Sequence, residues 1–138
     1  MFNDKIILTP IKRIKVIGGD VIQNIKKNDE GFEGFGESYY SLIDKGAIKG
    51  WKKHTKMTMN ITCPVGKVKF VFSKDLKQFK EILLDQEKLF RITIKPNIWF
   101  SFQGLHHPNS LITNVANLIH DPKEVERKDL STVNYFWK

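Results

Sequence analysis

Three stretches of this chain alternate apolar and polar residues with a period of two, and a chain so patterned has to bury one face of a pleated sheet. Lys67–Phe72 turns Val68, Phe70 and Phe72 one way and Lys67 and Lys69 the other. Phe90, Ile92 and Ile94 alternate up to the Lys95-Pro96-Asn97 turn, and Ile98, Phe100 and Phe102 continue beyond it. Around these lie shorter β-rich pieces: Ile6–Thr9 and Ile14–Ile17 split by Pro10, Glu37–Ile43 bounded by glycines, and the apolar Leu111–Leu118. Gly18-Gly19-Asp20 reads as a tight turn. Turns recur about every ten residues, which is the rhythm of a sandwich or jelly roll. One stretch dissents. Leu76, Phe79, Ile82 and Leu83 have helical spacing, and local pattern alone favours a helix from Asp75 to Asp85, where an all-β architecture would place strands.

Composition bounds the rest. The 138 residues amount to about one domain, read here as 1–138 with a short tail from about 121 to 138. That tail is charged first and aromatic last (Tyr135, Phe136, Trp137), a pattern expected to pack back onto the domain or a partner. The net charge of +8 and pI near 9.6 call for an anionic partner or a lysine-studded solvated surface. No Arg-rich tract, RNA-binding signature or zinc-finger spacing is present, which argues against nucleic acid; a small anion such as a nucleotide diphosphate explains the charge more simply. The lone Cys63 excludes an internal disulfide and a cysteine zinc site, and reads as a buried thiol. No stretch approaches ~20 apolar residues, so neither a membrane span nor a secretory leader is expected, and the cytoplasm is the default location.

The chemistry concentrates between Gly46 and Gly66. Lys52 and His54, one residue apart on a strand, point the same way. With Met59 they sit between two glycines at the spacing Gly, five residues, His, one residue, His, four residues, Glu, six residues, Gly. That frame resembles the first metal motif of the cupin barrels. A lysine and a methionine in two ligand positions leave a single His54, and Phe100 occupies the position of the second motif's histidine, so no metal is expected.

Further motifs widen the likeness. Phe35-Gly36-Glu37-Ser38-Tyr39-Tyr40-Ser41, Gly46-Ala47-Ile48-Lys49-Gly50-Trp51, Ile98-Trp99-Phe100-Ser101-Phe102 and His120-Asp121-Pro122-Lys123-Glu124 together resemble the dTDP-4-dehydrorhamnose 3,5-epimerase family, metal-independent cupins of deoxysugar biosynthesis. The resemblance runs from about Ile6 to Asp129 and implies an all-β, cupin-type double-stranded β-helix. It also implies a homodimer that lends the Phe-x-Glu strand across a two-fold axis, and no cofactor. Phe35 and Glu37 would contact the nucleobase end of the substrate. Lys49 takes the place of the family's anion-binding arginine, and supplies charge without the bidentate fork. The family's base histidine falls on Lys52, its lysine near Met57 or Met59, and its acid tyrosine near Leu111–Thr113.

Epimerisation beside a ketone needs a base for the acidified proton, a cation for the enolate and an acid on the opposite face. His54 suits the base and Lys52 the cation; both are equally readable as polar residues at a barrel mouth that binds without reacting. Tyr39 and Tyr40, one facing in and one out on one strand, are candidates for an acid or sugar-stacking role, and Trp51 and Trp99 for stacking on a base or sugar; each is also readable as packing. Adjacent His106 and His107 diverge if extended and read as a solvated loop. His120-Asp121 reads as a strand-ending turn with a possible orienting pair, and Gly31–Gly36 lacks the helix a dinucleotide fingerprint needs. Two functions follow: a sugar-nucleotide epimerase or isomerase acting on a dTDP-4-keto-6-deoxyhexose, in deoxysugar or surface-polysaccharide biosynthesis, or a non-catalytic cupin that binds a sugar nucleotide or glycan.

Overall fold

The computed structural model describes residues 4–137. Its strands are β1 (Ile6–Pro10), β2 (Arg13–Ile14), β3 (Val21–Ile22), β4 (Glu37–Asp44), β5 (Ile48–His54), β6 (Met59–Val65), β7 (Lys67–Ser73), β8 (Lys80–Asp85), β9 (Phe90–Ile94), β10 (Trp99–Gly104), β11 (Asn109–Ala116) and β12 (Val125–Arg127). They form two five-stranded antiparallel sheets, ordered β1-β9-β6-β11-β4 and β12-β5-β10-β7-β8, with a β2-β3 hairpin beside them. This is the all-β jelly roll that the alternation requires. Among the described residues no helix is long and apolar enough to cross a membrane.

The alternating residues meet where the two inner faces meet. Ile61, Ile92, Ile94 and Ile112 of the first sheet pack with Phe70, Phe72, Leu84 and Phe100 of the second in one buried cluster. Burial of such side chains stabilises by about 1.5–3 kcal/mol each. The outer face of the first sheet is covered too. Arg91, 1% exposed, donates from Nη1 to the Asn24 carbonyl (2.8 Å) and from Nη2 to that of Glu30 (3.3 Å), and Asn60 Nδ2 donates to the Gly31 carbonyl (3.0 Å). Gly31 lies where a Cβ would meet Thr93 Oγ1 at 2.4 Å. Gly31, and Gly36 where a Cβ would meet the Leu118 backbone at 2.2 Å, therefore serve a close backbone approach.

The helical spacing at Asp75–Asp85 yields to pairing. Asp75 Oδ1 accepts the Lys77 and Gln78 N–H groups, Ser73 Oγ accepts that of Leu76, and the chain turns there before entering β8. β8 pairs with β7 from Lys67↔Asp85 to Phe72↔Lys80, which sends Ile82 and Leu84 inward and leaves Leu83 exposed. Ladder hydrogen bonds and burial of alternate residues outweigh a short local helical pattern.

The C-terminal segment is an integral strap. Asp121 caps a 3-10 turn at Pro122–Glu124 by accepting the Lys123 N–H (3.0 Å), β12 then joins the edge of β5, and Tyr135 and Trp137 close onto Trp51 and Phe79. Phe136 stays exposed.

Candidate active site

Strand β5 carries the site because its inner face looks into the barrel. Lys52 and His54 line one cavity of about 70 Å³ with Tyr39, Ser41, Met59, Phe100 and Asn114. The positions where a metal cupin gathers its ligands (52, 54, 59 and 100) thus converge as the spacing implies, with side chains unsuited to holding an ion. Among the described residues no group of three His, Cys, Asp or Glu lies together.

His54 is held on two sides. Its Nδ1 lies 2.5 Å from Glu124 Oε2, and its ring stacks on Phe100 at 6.1 Å between centroids. Glu124 is itself fixed, because Oε1 accepts the N–H groups of Met57 (2.9 Å) and Lys56 (3.1 Å). Burial pushes the Glu124 carboxyl up, but the His54 bond and these two amides outweigh it and hold the group below the ordinary carboxylate value. An ionised carboxylate only accepts, so Nδ1 carries the proton and the lone pair of a neutral imidazole resides on Nε2. The ring is thereby set up as a base.

Glu124 is the residue that sequence reasoning missed in this role. His120-Asp121 was the candidate orienting pair, yet Asp121 caps the 3-10 turn and His120 is exposed, its N–H bonded to Glu37 Oε1 at 2.9 Å. The signal lay three residues on: the capped turn swings the strap so that Glu124 faces His54.

Lys52 is half-buried, and burial first, then Arg127 and Lys49, lowers its pKa. Opposite, on β4, Tyr39 lines the same cavity; its oxygen accepts from Asn114 Nδ2 at 2.8 Å, which leaves the phenol proton free to donate. Burial raises the Tyr39 pKa against the Asn114 bond, and Glu37 and Glu124 raise it further.

The remaining candidates separate. Lys49 reaches the rim of the barrel, donating from Nζ to the Leu42 carbonyl at 3.3 Å. Phe35, 67% exposed, lies just before β4 and Glu37 opens it, four and two residues before Tyr39. Trp51 and Trp99 do not face the cavity. Both rings belong to a second apolar cluster with Val71, Val133, Phe79 and Tyr135 on the outer side of the second sheet. The structure thus uses both rings for packing, Trp51 at 1% exposed beneath the C-terminal strap and Trp99 at 6%, rather than as walls of the cavity.

A scan of protein-family models matched none, and no curated protein matches. Solved structures do. A dTDP sugar isomerase from Desulfovibrio desulfuricans G20 is 24% identical, over 96% of this chain and 90% of that one, with a TM-score of 0.88. QdtA, a sugar 3,4-ketoisomerase from Thermoanaerobacterium thermosaccharolyticum solved in complex with TDP, is 22% identical over 93% and 90%, with a TM-score of 0.80. A dTDP-4-dehydrorhamnose 3,5-epimerase from Sulfolobus tokodaii is 18% identical over 96% and 82%, with a TM-score of 0.82. The shared feature is the fold. Nearly the whole chain takes the path of these cupin-type enzymes, and the expected architecture stands.

Proposed function

We propose that the protein is a sugar-nucleotide epimerase or isomerase that moves a proton next to the ketone of a dTDP-4-keto-6-deoxyhexose. The observation that carries this reading is the His54–Glu124 pair facing a cavity shared with Lys52 and Tyr39. His54 Nε2 removes the proton from the carbon beside the carbonyl, and the electron pair passes to the ketone oxygen as an enolate. The Lys52 ammonium lies on the same face of β5 to hold that charge. Tyr39, on the facing sheet, delivers its proton to the opposite side of the sugar for an epimerisation. If instead the hydroxyl proton on the deprotonated carbon passes to the enolate oxygen and His54 returns its own proton to the former carbonyl carbon, the new carbonyl stands on the adjacent carbon and the outcome is a ketoisomerisation. The solved structures of like fold include enzymes named for each outcome.

In this reading the chain is one cupin domain whose strap, residues 121–137, belongs to the site. Tyr40 and Leu42, exposed on edge strand β4 near the exposed Phe35, supply the apolar surface for a homodimer that would bring Phe35 and Glu37 to the partner's nucleotide. No cofactor is required, since the ketone acidifies its neighbours. The setting would be cytoplasmic deoxysugar or polysaccharide biosynthesis.

The test is solvent-deuterium wash-in, followed by NMR, on a panel of 4-keto-6-deoxyhexose nucleotides. Exchange at one or both carbons flanking the ketone, abolished in His54→Asn, is expected. A second reading, binding without turnover, is favoured by Ile112, which lines the cavity in the segment where the family's acid tyrosine would stand. Tight binding with no wash-in for any substrate would establish it.

A further inference from the structure

Strand β11 declares its buried face by strict alternation: Ser110, Ile112, Asn114 and Ala116 are buried, and the residues between them are half-buried. Ile112 and Ala116 belong to the apolar cluster between the sheets. Asn114, 5% exposed, breaks that row with an amide. It stands directly across the strand pairing from Tyr39, and the two line one cavity with His54.

Asparagine is a poor strand residue, and this one is only half satisfied. Its Nδ2 donates to Tyr39 Oη at 2.8 Å, while its Oδ1 is buried with no hydrogen-bond partner among the described residues. Asn60, on the outer face of the same sheet, has both ends engaged: Nδ2 donates to the Gly31 carbonyl at 3.0 Å and Oδ1 accepts from Thr93 Oγ1 at 2.6 Å. That is how an asparagine kept for structure is held. An orphaned buried acceptor costs stability, and a leucine of nearly the same shape would continue the apolar row without that cost. What the Asn114 side chain does supply is its bond to the phenol.

That bond acts on the phenol in two ways. A donor at the oxygen takes up one of its lone pairs, so the phenol proton is not spent on Asn114 and stays available to the cavity. It also works against burial and against Glu37 and Glu124, which make the proton harder to give up. Without it the hydroxyl of Tyr39, a residue 41% exposed, would be free to turn to water.

We propose that Asn114 is a positioning residue that aims the Tyr39 phenol as the acid of the second face, and thereby sets how the enolate divides between inversion and return. The proposal rests on the epimerase-or-isomerase reading and deepens it. In inversion the electron pair of the enolate takes the phenol proton at carbon, on the face away from His54, and the carbonyl re-forms. The phenolate then recovers a proton from water, and His54 releases to water the one it removed. On return His54 supplies the proton from the side it came from, and Tyr39 takes no part. Both routes leave the same enolate, so the aim of the phenol changes their ratio rather than the rate of proton removal.

Initial-rate NMR in deuterium oxide on a 4-keto-6-deoxyhexose nucleotide tests this, because it reads deuterium at inverted and retained centres separately. The wild type is expected to give deuterated, inverted product. Asn114→Leu is expected to lower inversion about ten-fold or more relative to incorporation with retention, with KM unchanged and a melting temperature at or above that of the wild type. Asn114→Asp, of the same size but able only to accept when ionised, is expected to lower inversion as well, since it draws the phenol proton to itself. Tyr39→Phe is expected to lose inversion, and the double variant with Asn114→Leu to fall no further, because Asn114 acts through that phenol. An unchanged ratio in Asn114→Leu, losses that multiply in the double variant, or an equal fall in both routes with a lower melting temperature overturns the proposal. A wild type that exchanges deuterium but never inverts also overturns it, and leaves the enzyme reading standing. Absence of wash-in from the wild type removes the enzyme reading and the proposal together.

Discussion

His54 and Trp51 are three residues apart on β5, both are buried, and both are roofed by the same C-terminal strap, yet they live in opposite kinds of interior. On the inner side the strap contributes a carboxylate, and the contact is polar, short and fixed by two backbone amides. On the outer side it contributes Tyr135 and Trp137, with ring centroids 6.3 and 6.4 Å from Trp51. The first arrangement is costly to bury and is kept for what it can do to a proton; the second is the apolar packing that holds the strap down. Stability and chemistry are therefore divided between the two faces of one strand, and each variant below asks whether that division is real.

The largest expected effect is on the inner face. His54→Asn removes the base while keeping a polar side chain of similar reach, and should slow deuterium wash-in by about 10⁴-fold, the upper end of what a positioned base contributes. Its melting temperature should move little by comparison. On the outer face the balance reverses. Trp51→Ala empties the centre of the aromatic cluster and should cost about 3–5 kcal/mol in urea unfolding. If Trp51→Ala left stability intact, the outer cluster would not be what secures the strap.

Glu124→Gln comes next. The amide retains an acceptor but loses the charge that fixes the His54 tautomer, so wash-in should fall by about 10²-fold with KM little changed. The same carboxylate makes stability depend on pH. Its folded pKa lies below the unfolded value, so the unfolded chain takes up the proton first as acid is added. The stabilisation is fully present above the unfolded carboxylate pKa, about 4.3, and is lost as pH falls through the folded one. The gap in melting temperature between wild type and Glu124→Gln should accordingly be widest near neutrality and close in acid.

Much of this was legible before any coordinates, and the reasons are local. Val68, Phe70 and Phe72, or Ile98, Phe100 and Phe102, state their own face by period two, and Lys52 with His54 follows the same rule into the cavity. What could not be read depends on partners remote in sequence. Glu124 meets His54 across seventy positions because a capped 3-10 turn aims the strap, and nothing near either residue announces the other. Trp51 gave the signal of a binding-site aromatic and turned out to be packing, because the covering residues, Tyr135 and Trp137, come from the chain's other end. Lys49 changed faces through a bulge that a lone glycine permits, an irregularity that alternation cannot express.

The smallest effects offer the sharpest contrast, because they come from neighbouring lysines. Lys53 lies on the outer face, 3.5 Å from Glu126 and 5.1 Å above the Trp99 ring. Exposed pairs of this kind contribute about 0–1 kcal/mol, so Lys53→Met should be marginally destabilising and leave wash-in untouched. Lys52 is also a lysine, but its charge is half-buried beside Arg127 and Lys49, and its folded pKa is lowered. A cation with a depressed folded pKa weakens the fold at every pH below that value, and the penalty lifts as pH climbs towards the unfolded pKa. Lys52→Met should therefore raise the melting temperature at neutral pH while it lowers wash-in, the exchange of stability for function expected of a site residue. Adjacent lysines with opposite signs of effect would locate the function on one face of β5; the same sign for both would erase the distinction between the two sides.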